Sequence, residues 1–399
     1  MGHDLGFGDK NEKSSPRLIF NASTNVKGGA VQNAANFLVR AQRDESVSWS
    51  FVVSREVADA AGSLGAKEQG VEVVESPARS RRARAYLTQR FNSDSGGLVY
   101  TMAGPAYVNV RGLHVMGISN PYLTHPTWEA YWCGRSPLEV ALDWGKNVYR
   151  RRWARKAAVF VFQTETAKRG FCAGGSVAGD DAFVVPNAFG LGDVRGALRA
   201  EVARELEGRR MVFVPAAGYP HKALNFIPEV VAALGGRGVE DCVFVLTLDF
   251  GSGIWRQVQE KGRRLGVMGS ILNLGVTPYK EMAALYRSSE VVFVPSLLET
   301  FSTSYLEAMG FQKPLVVPDR AFAVEVCGRG ALYYDGTAGD AGRVLRDVLA
   351  EPGGAKEALR QQKEVLAGYG GQDTRYNRIM EVLGFVLSRY KSGGAEGIE

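Results

Sequence analysis

The sequence predicts an α/β protein made of two doubly wound, Rossmann-like domains of parallel sheet. Three observations lead there. Short apolar runs alternate with helix-like stretches along the whole chain. Each run is apolar at successive positions, as a strand is when helices cover both faces of its sheet. A length of 399 residues is enough for two domains of ordinary size.

The first set of runs is RLIFNA (17–22), WSFVVS (49–54), VEVVES (71–76), LVYTMA (98–103), LHVMGIS (113–119), AVFVFQT (158–164) and AFVVPN (182–187). The second is RMVFVPA (210–216), CVFVLTL (242–248), SILNLG (270–275), EVVFVPS (290–296), PLVVPD (314–319) and ALYYD (331–335). Helices between successive strands imply right-handed βαβ crossovers. The domains are expected to change near VVPNAFGLGDVRG (184–196), where a strand ends in Pro-Asn and a Gly-rich link follows. This gives an unstructured leader over 1–16, a first domain over 17–188, a second over 189–372, a strandless last helix over 373–390 and an unstructured tail over 391–399.

Composition narrows the class. Apolar residues at 45% and charged residues at 23% are ordinary for a globular chain. No stretch approaches the ~18 apolar residues of a membrane-spanning helix, and the start has no apolar run of the secretory kind. The four cysteines are scattered without CxxC or CxxH spacing. That points to free thiols in a reducing, cytoplasmic compartment and not to zinc or disulfides. The net charge of +6 sits wholly in residues 1–190, which carry 23 basic against 17 acidic residues. An anionic partner is therefore expected on the first half.

Ligands of open α/β sheets bind beyond the carboxyl ends of the strands, so the loops there are the candidates. In NASTNVKGGAVQ (21–32), Gly28 and Gly29 precede a helix. They suit close approach to a phosphate or sugar, or a turn that simply needs glycine. In VPAAGYPHKALNF (214–226), His221 and Lys222 follow a strand and are expected to open a helix. An ammonium there can hold a diphosphate, although a solvated lysine and a polar histidine cap are the plainer readings. In PSLLETFSTSYLEAMGFQKP (295–314), Glu299 lies in the loop, Ser302 or Thr303 can cap the following helix, and Glu307 lies within it. Two carboxylates suit paired sugar and ribose hydroxyls, with free N–H groups at 302–303 for a phosphate between them. Glu307 alone reads equally as an exposed helix acid. His114 reads as a core residue, and His125 as a site residue or a loop residue. HExxH, GxSxG, Walker and Asp-x-Asp patterns are absent, and with four histidines no metal centre is expected.

Together these stretches resemble a retaining glycosyltransferase of family 4, the group 1 glycosyltransferases of GT-B fold. The resemblance rests on LGVTPYKEMAALYRSSEVVFVPSLLETFSTSYLEAMGFQKPLVVPDRAFAVEVCGRGALYYD (274–335), on VFVPAAGYPHK, FVFQTETAKRGF (160–171) and VVPNAFG, and more weakly on the GGA loop and YTMAGPAYVNV (100–110). It implies two domains facing a central cleft, with the last helix returning to the first. It implies that Glu299 contacts the donor sugar, Glu307 the ribose and Lys222 the diphosphate. Gly28 and Gly29 would lie against phosphates or sugar, the loop at Val276 would meet the base, and His221, Phe301, Ser302 and Thr303 would complete the donor site. The chain departs from the family pattern at Ala217, where many members carry Arg, at Ser302, usually Gly, and at Asn120, near a frequent histidine. Asn120 and His125 are the weak acceptor-side candidates.

The resemblance implies transfer with retention, by front-face attack, from a GDP- or UDP-linked sugar to a saccharide or lipid-linked acceptor. No metal or other cofactor is required. Hexosyl transfer in cell-surface polysaccharide assembly, of the O-antigen, lipopolysaccharide or capsule type, is the expected setting. A nucleotide-sugar epimerase and a non-catalytic nucleotide-sugar binder are the alternatives. The basic stretches over 79–90 and 146–156 carry no acid. On the helix expected to carry the second, Leu138, Leu142, Tyr149 and Trp153 share a face opposite Arg151 and Arg155. That face could pack on the sheet, or the region could dock peripherally on an anionic membrane. Nucleic acid is not expected, since no binding motif accompanies the charge.

Overall fold

A computed structural model describes residues 18–93, 97–175, 177, 179–190, 196–215, 217–235 and 241–393. The expected leader and the end of the expected tail, 394–399, lie outside the described residues. Each of the apolar runs forms a strand. In the first sheet these are β1 Leu18–Ala22, β2 Trp49–Val53, β3 Val71–Val73, β4 Leu98–Thr101, β5 Leu113–Gly117, β6 Val159–Phe162 and β7 Ala182–Val184. In the second they are β8 Arg210–Val214, β9 Cys242–Leu246, β10 Ile271–Asn273, β11 Val291–Phe293, β12 Leu315–Pro318 and β13 Leu332–Tyr334. The sheet orders are β3-β2-β1-β4-β5-β6-β7 and β10-β9-β8-β11-β12-β13, and neighbouring strands pair in parallel. The chain is thus two parallel-sheet α/β domains. Strand order reverses between β1 and β4 and again between β8 and β11, which are the switch points where such sheets bind ligands.

Both faces of each sheet are covered, which is why the runs are continuously apolar. Ile19 and Phe20 fall in separate cores on opposite faces of the first sheet. Val212 and Phe213 do so in the second. One polar line crosses the first sheet: Asn21 Nδ2 donates to Thr101 Oγ1 at 3.1 Å, and that hydroxyl lies 2.9 Å from His114 Nε2. Burial pulls the His114 pKa down to about 4, so the ring stays neutral within the sheet.

The compact units do not follow a simple halving of the chain. Among the described residues, one comprises 18–125, 144–187 and 371–393, and the other 126–143 and 188–370. The last helix, Gln372–Gly393, places Tyr376, Ile379, Leu383 and Val386 in the first unit's core. The segment Pro126–Asp143, by contrast, packs with the second unit.

The helix Pro137–Ala154 corrects one of the two readings of its apolar face. Leu138, Leu142 and Tyr149 are 69%, 54% and 44% exposed. The buried positions are Val140, Asn147 and Ala154, seven residues apart, so a narrow seam packs and the broad apolar face looks outward. Arg84 Nη1 donates to Tyr149 Oη at 3.0 Å, which joins this helix to the basic helix Arg81–Asn92.

Candidate functional site

In the second unit, β8 and β11 are neighbours at the switch point, and the loops that follow them carry Lys222 and Glu299. After β8 the expected helix does not open at Lys222. The chain makes a 3-10 turn over Pro220–Lys222, then a second over Leu224–Phe226, and the helix Ile227–Leu234 starts only there. Ala223 between the turns holds φ 52, a left-handed conformation that interrupts any helix. Lys222 is therefore presented on a tight turn and not on a helix end. The turn is tied to the second loop, where Leu297 N donates to the His221 carbonyl at 2.8 Å.

Lys222 Nζ pairs directly with Glu299 Oε1, with side chains only 16% and 8% exposed. Burial pushes the Glu299 carboxyl upward. The Lys222 charge, His221 and the hydrogen bond from Lys222 outweigh it, and the pKa falls below the ordinary value. His221 stacks on Tyr219 at 5.5 Å. Its burial lowers the pKa to about 4, against the Glu299 charge and with the Lys222 and Arg135 charges. At neutral pH the cluster holds one ammonium, one carboxylate and a neutral imidazole.

The helix Thr303–Gly310 follows Glu299. Ser302 stands at its N-cap position, but its side chain makes no capping bond, and Thr303 is the first helical residue. Tyr305 N donates to the Ser302 carbonyl at 3.2 Å; the N–H groups of Thr303 and Ser304 have no acceptor inside a helix and can meet a ligand oxygen. Ser304 Oγ donates to the Pro215 carbonyl at 3.2 Å, fixing the helix start to the end of β8. Phe301 is 7% exposed and packs edge-on against Tyr369, so its ring serves the core. Glu307 is not an exposed helix acid. It is partly buried and accepts a 2.6 Å hydrogen bond from Tyr286 Oη. Burial raises its pKa to about 7, against the Tyr286 bond and the Lys222 charge.

Val276, in the loop after β10, is 75% exposed. Asn273 holds that loop to the end of β9, accepting from Leu248 N at 2.8 Å and Gly275 N at 3.3 Å. Gly275 holds φ 74, and a Cβ there would come within 2.6 Å of the Phe250 ring. Phe250 is 61% exposed and offers a flat apolar face beside Val276. Reading the sequence misses it, since an aromatic just after a strand reads as core. Its signal was its place between Asp249 and Gly251 in a turn.

Gly28, Gly29, Asn120 and His125 belong to the first unit. Gly28 holds φ 70 at the N-cap of the helix Gly29–Ala41, a position that favours glycine. Asn120 accepts a 3.0 Å bond from Tyr122 N and caps the short helix Pro121–Thr124. His125 ends that helix, with Nδ1 2.8 Å from Thr124 Oγ1. Among the described residues no three His, Cys, Asp or Glu side chains gather as metal ligands would.

Residues 208–350 match the family model described as glycosyl transferases group 1. No curated protein sequence is similar enough to count as a relative. Among solved structures, the chain is similar to a glycosyltransferase from Rickettsia africae at 12% identity and a TM-score of 0.68, covering 93% of this chain and 98% of that one. It is similar to Anabaena HepE in complex with UDP and glucose at 14% identity and 0.69, covering 92% and 99%. It is also similar to WaaG, a glycosyltransferase involved in lipopolysaccharide biosynthesis, at 11% identity and 0.65, covering 92% and 99%. At these identities the likeness is one of fold, and the fold is that of GT-B glycosyltransferase structures.

Proposed function

We propose that the protein is a retaining glycosyltransferase that takes its sugar from a nucleoside diphosphate sugar, with UDP or GDP as the nucleotide. The observation that carries this is the Lys222–Glu299 pair at the carboxyl ends of β8 and β11, followed by a helix start that lacks a side-chain cap and by Glu307. The family model over 208–350 and the UDP and glucose bound to HepE support the same reading. Glu299 accepts hydrogen bonds from donor-sugar hydroxyls, and Glu307 from the ribose. Val276 and Phe250 border the base. As the glycosidic bond to phosphate breaks, negative charge grows on the diphosphate. Lys222 and the first-turn N–H groups of Thr303–Gly310 meet it, and aimed electrostatics of this kind are often the largest catalytic contribution. The departing phosphate takes the acceptor's proton on the same face, so configuration is retained. These groups supply the charge stabilisation without a metal ion.

The test is incubation with UDP- and GDP-sugars and a panel of saccharide and lipid-linked acceptors, reading free nucleoside diphosphate and the anomeric configuration of product. Release that depends on acceptor, with retention and with EDTA present, is expected. Turnover without any acceptor would indicate an epimerase or hydrolase, and binding without turnover a non-catalytic member of the fold.

The acceptor side has its own observation. The exposed face of Pro137–Ala154 combines Leu138, Leu142 and Tyr149 with exposed Lys146 and Arg152, and Arg84 ties the basic helix Arg81–Asn92 alongside. Apolar residues flanked by exposed cations suit the cytoplasmic face of an anionic membrane, each basic residue adding ~1 kcal/mol. No described helix is long and apolar enough to cross one. Such docking fits a lipid-linked acceptor in cell-surface polysaccharide assembly. Co-sedimentation with phosphatidylcholine vesicles, with and without phosphatidylglycerol, tests it. Binding to the anionic vesicles alone, lost in Leu142→Glu, is expected, and equal behaviour with both vesicles would refute it.

A further inference from the structure

The segment Pro126–Asp143 lies in the first half of the sequence but is pinned inside the second unit. Its helix Trp128–Trp132 packs against the Pro220–Lys222 turn. Cys133 Sγ lies 3.4 Å from Asn225 Oδ1, three residues beyond Lys222. Gln257 Nε2 donates to the Gly134 carbonyl at 2.8 Å, and Glu129 pairs with Arg320 at 2.7 Å. Gly134 holds φ 63, and a Cβ there would come within 2.4 Å of Gln257 Oε1 and 2.9 Å of Asn225 Nδ2. The approach is closer than a side chain allows, so the turn is fitted to this surface. The next residue is Arg135. Its side chain is 9% exposed and lies 3.2 Å from Asp143. Its charge helps keep His221, the neighbour of Lys222, neutral.

Lys222 alone does not balance a diphosphate. Its charge is already matched by Glu299, so a bound diphosphate would leave the cluster strongly negative in a poorly solvated place. A guanidinium held beside it presents a planar fork that fits phosphate oxygens. We propose that Arg135, delivered by the Pro126–Asp143 segment, is the second cation of the donor site and binds the diphosphate beside Lys222, giving up part of its pairing with Asp143. This assignment rests on the donor-site reading above.

Calorimetric titration of the full chain with UDP and GDP, and competition by the matching nucleosides, tests it. Arg135→Met is expected to weaken diphosphate binding about tenfold and to leave nucleoside binding unchanged. Arg135→Lys, which keeps the charge but not the planar fork, restores part of the loss. Asp143→Asn, which frees the guanidinium, tightens diphosphate binding. A purely structural pair would instead make Arg135→Met and Asp143→Asn alike, with diphosphate and nucleoside affinities moving together. That result, or equal diphosphate affinity in Arg135→Met and the unaltered chain, overturns the proposal. If Arg135→Met does not fold, Asp143→Asn decides: tighter binding supports the assignment, and unchanged or weaker binding overturns it. If the unaltered chain binds neither UDP nor GDP, the donor-site reading itself fails and this assignment falls with it.

Discussion

Replacing Glu307 by Gln probes the second carboxylate without disturbing its shape. The glutamine keeps an oxygen for the Tyr286 hydroxyl, 2.6 Å away in the native protein, but cannot ionise. In the folded chain burial lifts the Glu307 pKa from 4.5 to about 7, so the native state keeps this proton where the unfolded chain has lost it. Stability from this group is therefore full below pH 4.5 and declines as pH rises through about 7. At ~1.4 kcal/mol per pH unit the displacement is worth about 3 kcal/mol. Urea denaturation of both proteins between pH 4.5 and pH 8 would read it. The advantage of Glu307→Gln over the unaltered chain should grow with pH, from little at the acid end to about 3 kcal/mol at the alkaline end. Curves that stay parallel across the range would refute the reasoning. The same ionisation prepares an acceptor for ribose hydroxyls, so nucleotide affinity should rise with pH through about 7 in the unaltered chain only.

Lys222→Met leaves Glu299 buried without its partner and should cost ~3–5 kcal/mol, with much of the loss recovered in Lys222→Met/Glu299→Gln; a double-mutant cycle by denaturation checks it. Phe250→Ala, at a position 61% exposed, should leave stability within ~0.5 kcal/mol while weakening nucleotide binding, as titration calorimetry would record. Gly342→Ala places a Cβ 2.8 Å from the Ala233 backbone, where the helices Ala338–Ala350 and Ile227–Leu234 meet. It should destabilise by ~1–3 kcal/mol through overpacking, measured as a lowered melting point.

How much of this was legible depended on whether the signal was local. A strand covered on both faces writes itself as a continuous apolar run, so runs such as CVFVLTL around β9 and EVVFVPS around β11 could be read directly. Crossover rules fix the hand of the units, while the strand order that brings Lys222 and Glu299 to one switch point is seen only in the fold. Conformation at single residues was less readable. Alanine is a good helix former, and nothing in HKALNF announces that Ala223 takes φ 52 and delays the helix. Periodicity shows that Leu138, Leu142 and Tyr149 share a face, but the choice of which face packs is made by neighbours distant in sequence. The same limit hid the docking of Pro126–Asp143 beside Lys222, because its anchors, Asn225 and Gln257, lie about a hundred residues further along. Glu307 shows the mixture: spacing puts it in the helix after Glu299, but its partner Tyr286 comes from a separate helix and sets the local burial.

Thermal melting with UDP, GDP, ADP and their sugar conjugates tests the central claim most directly. A ligand at about 100 times its dissociation constant adds ~2.7 kcal/mol, or about 5–10 °C for a domain of this size. The account predicts such a shift for one nucleotide family, unchanged by EDTA and abolished in Lys222→Ala relative to that variant's own unliganded melting point. No shift with any nucleotide, or an equal shift in Lys222→Ala, would contradict a donor site built on Lys222, Glu299 and Glu307.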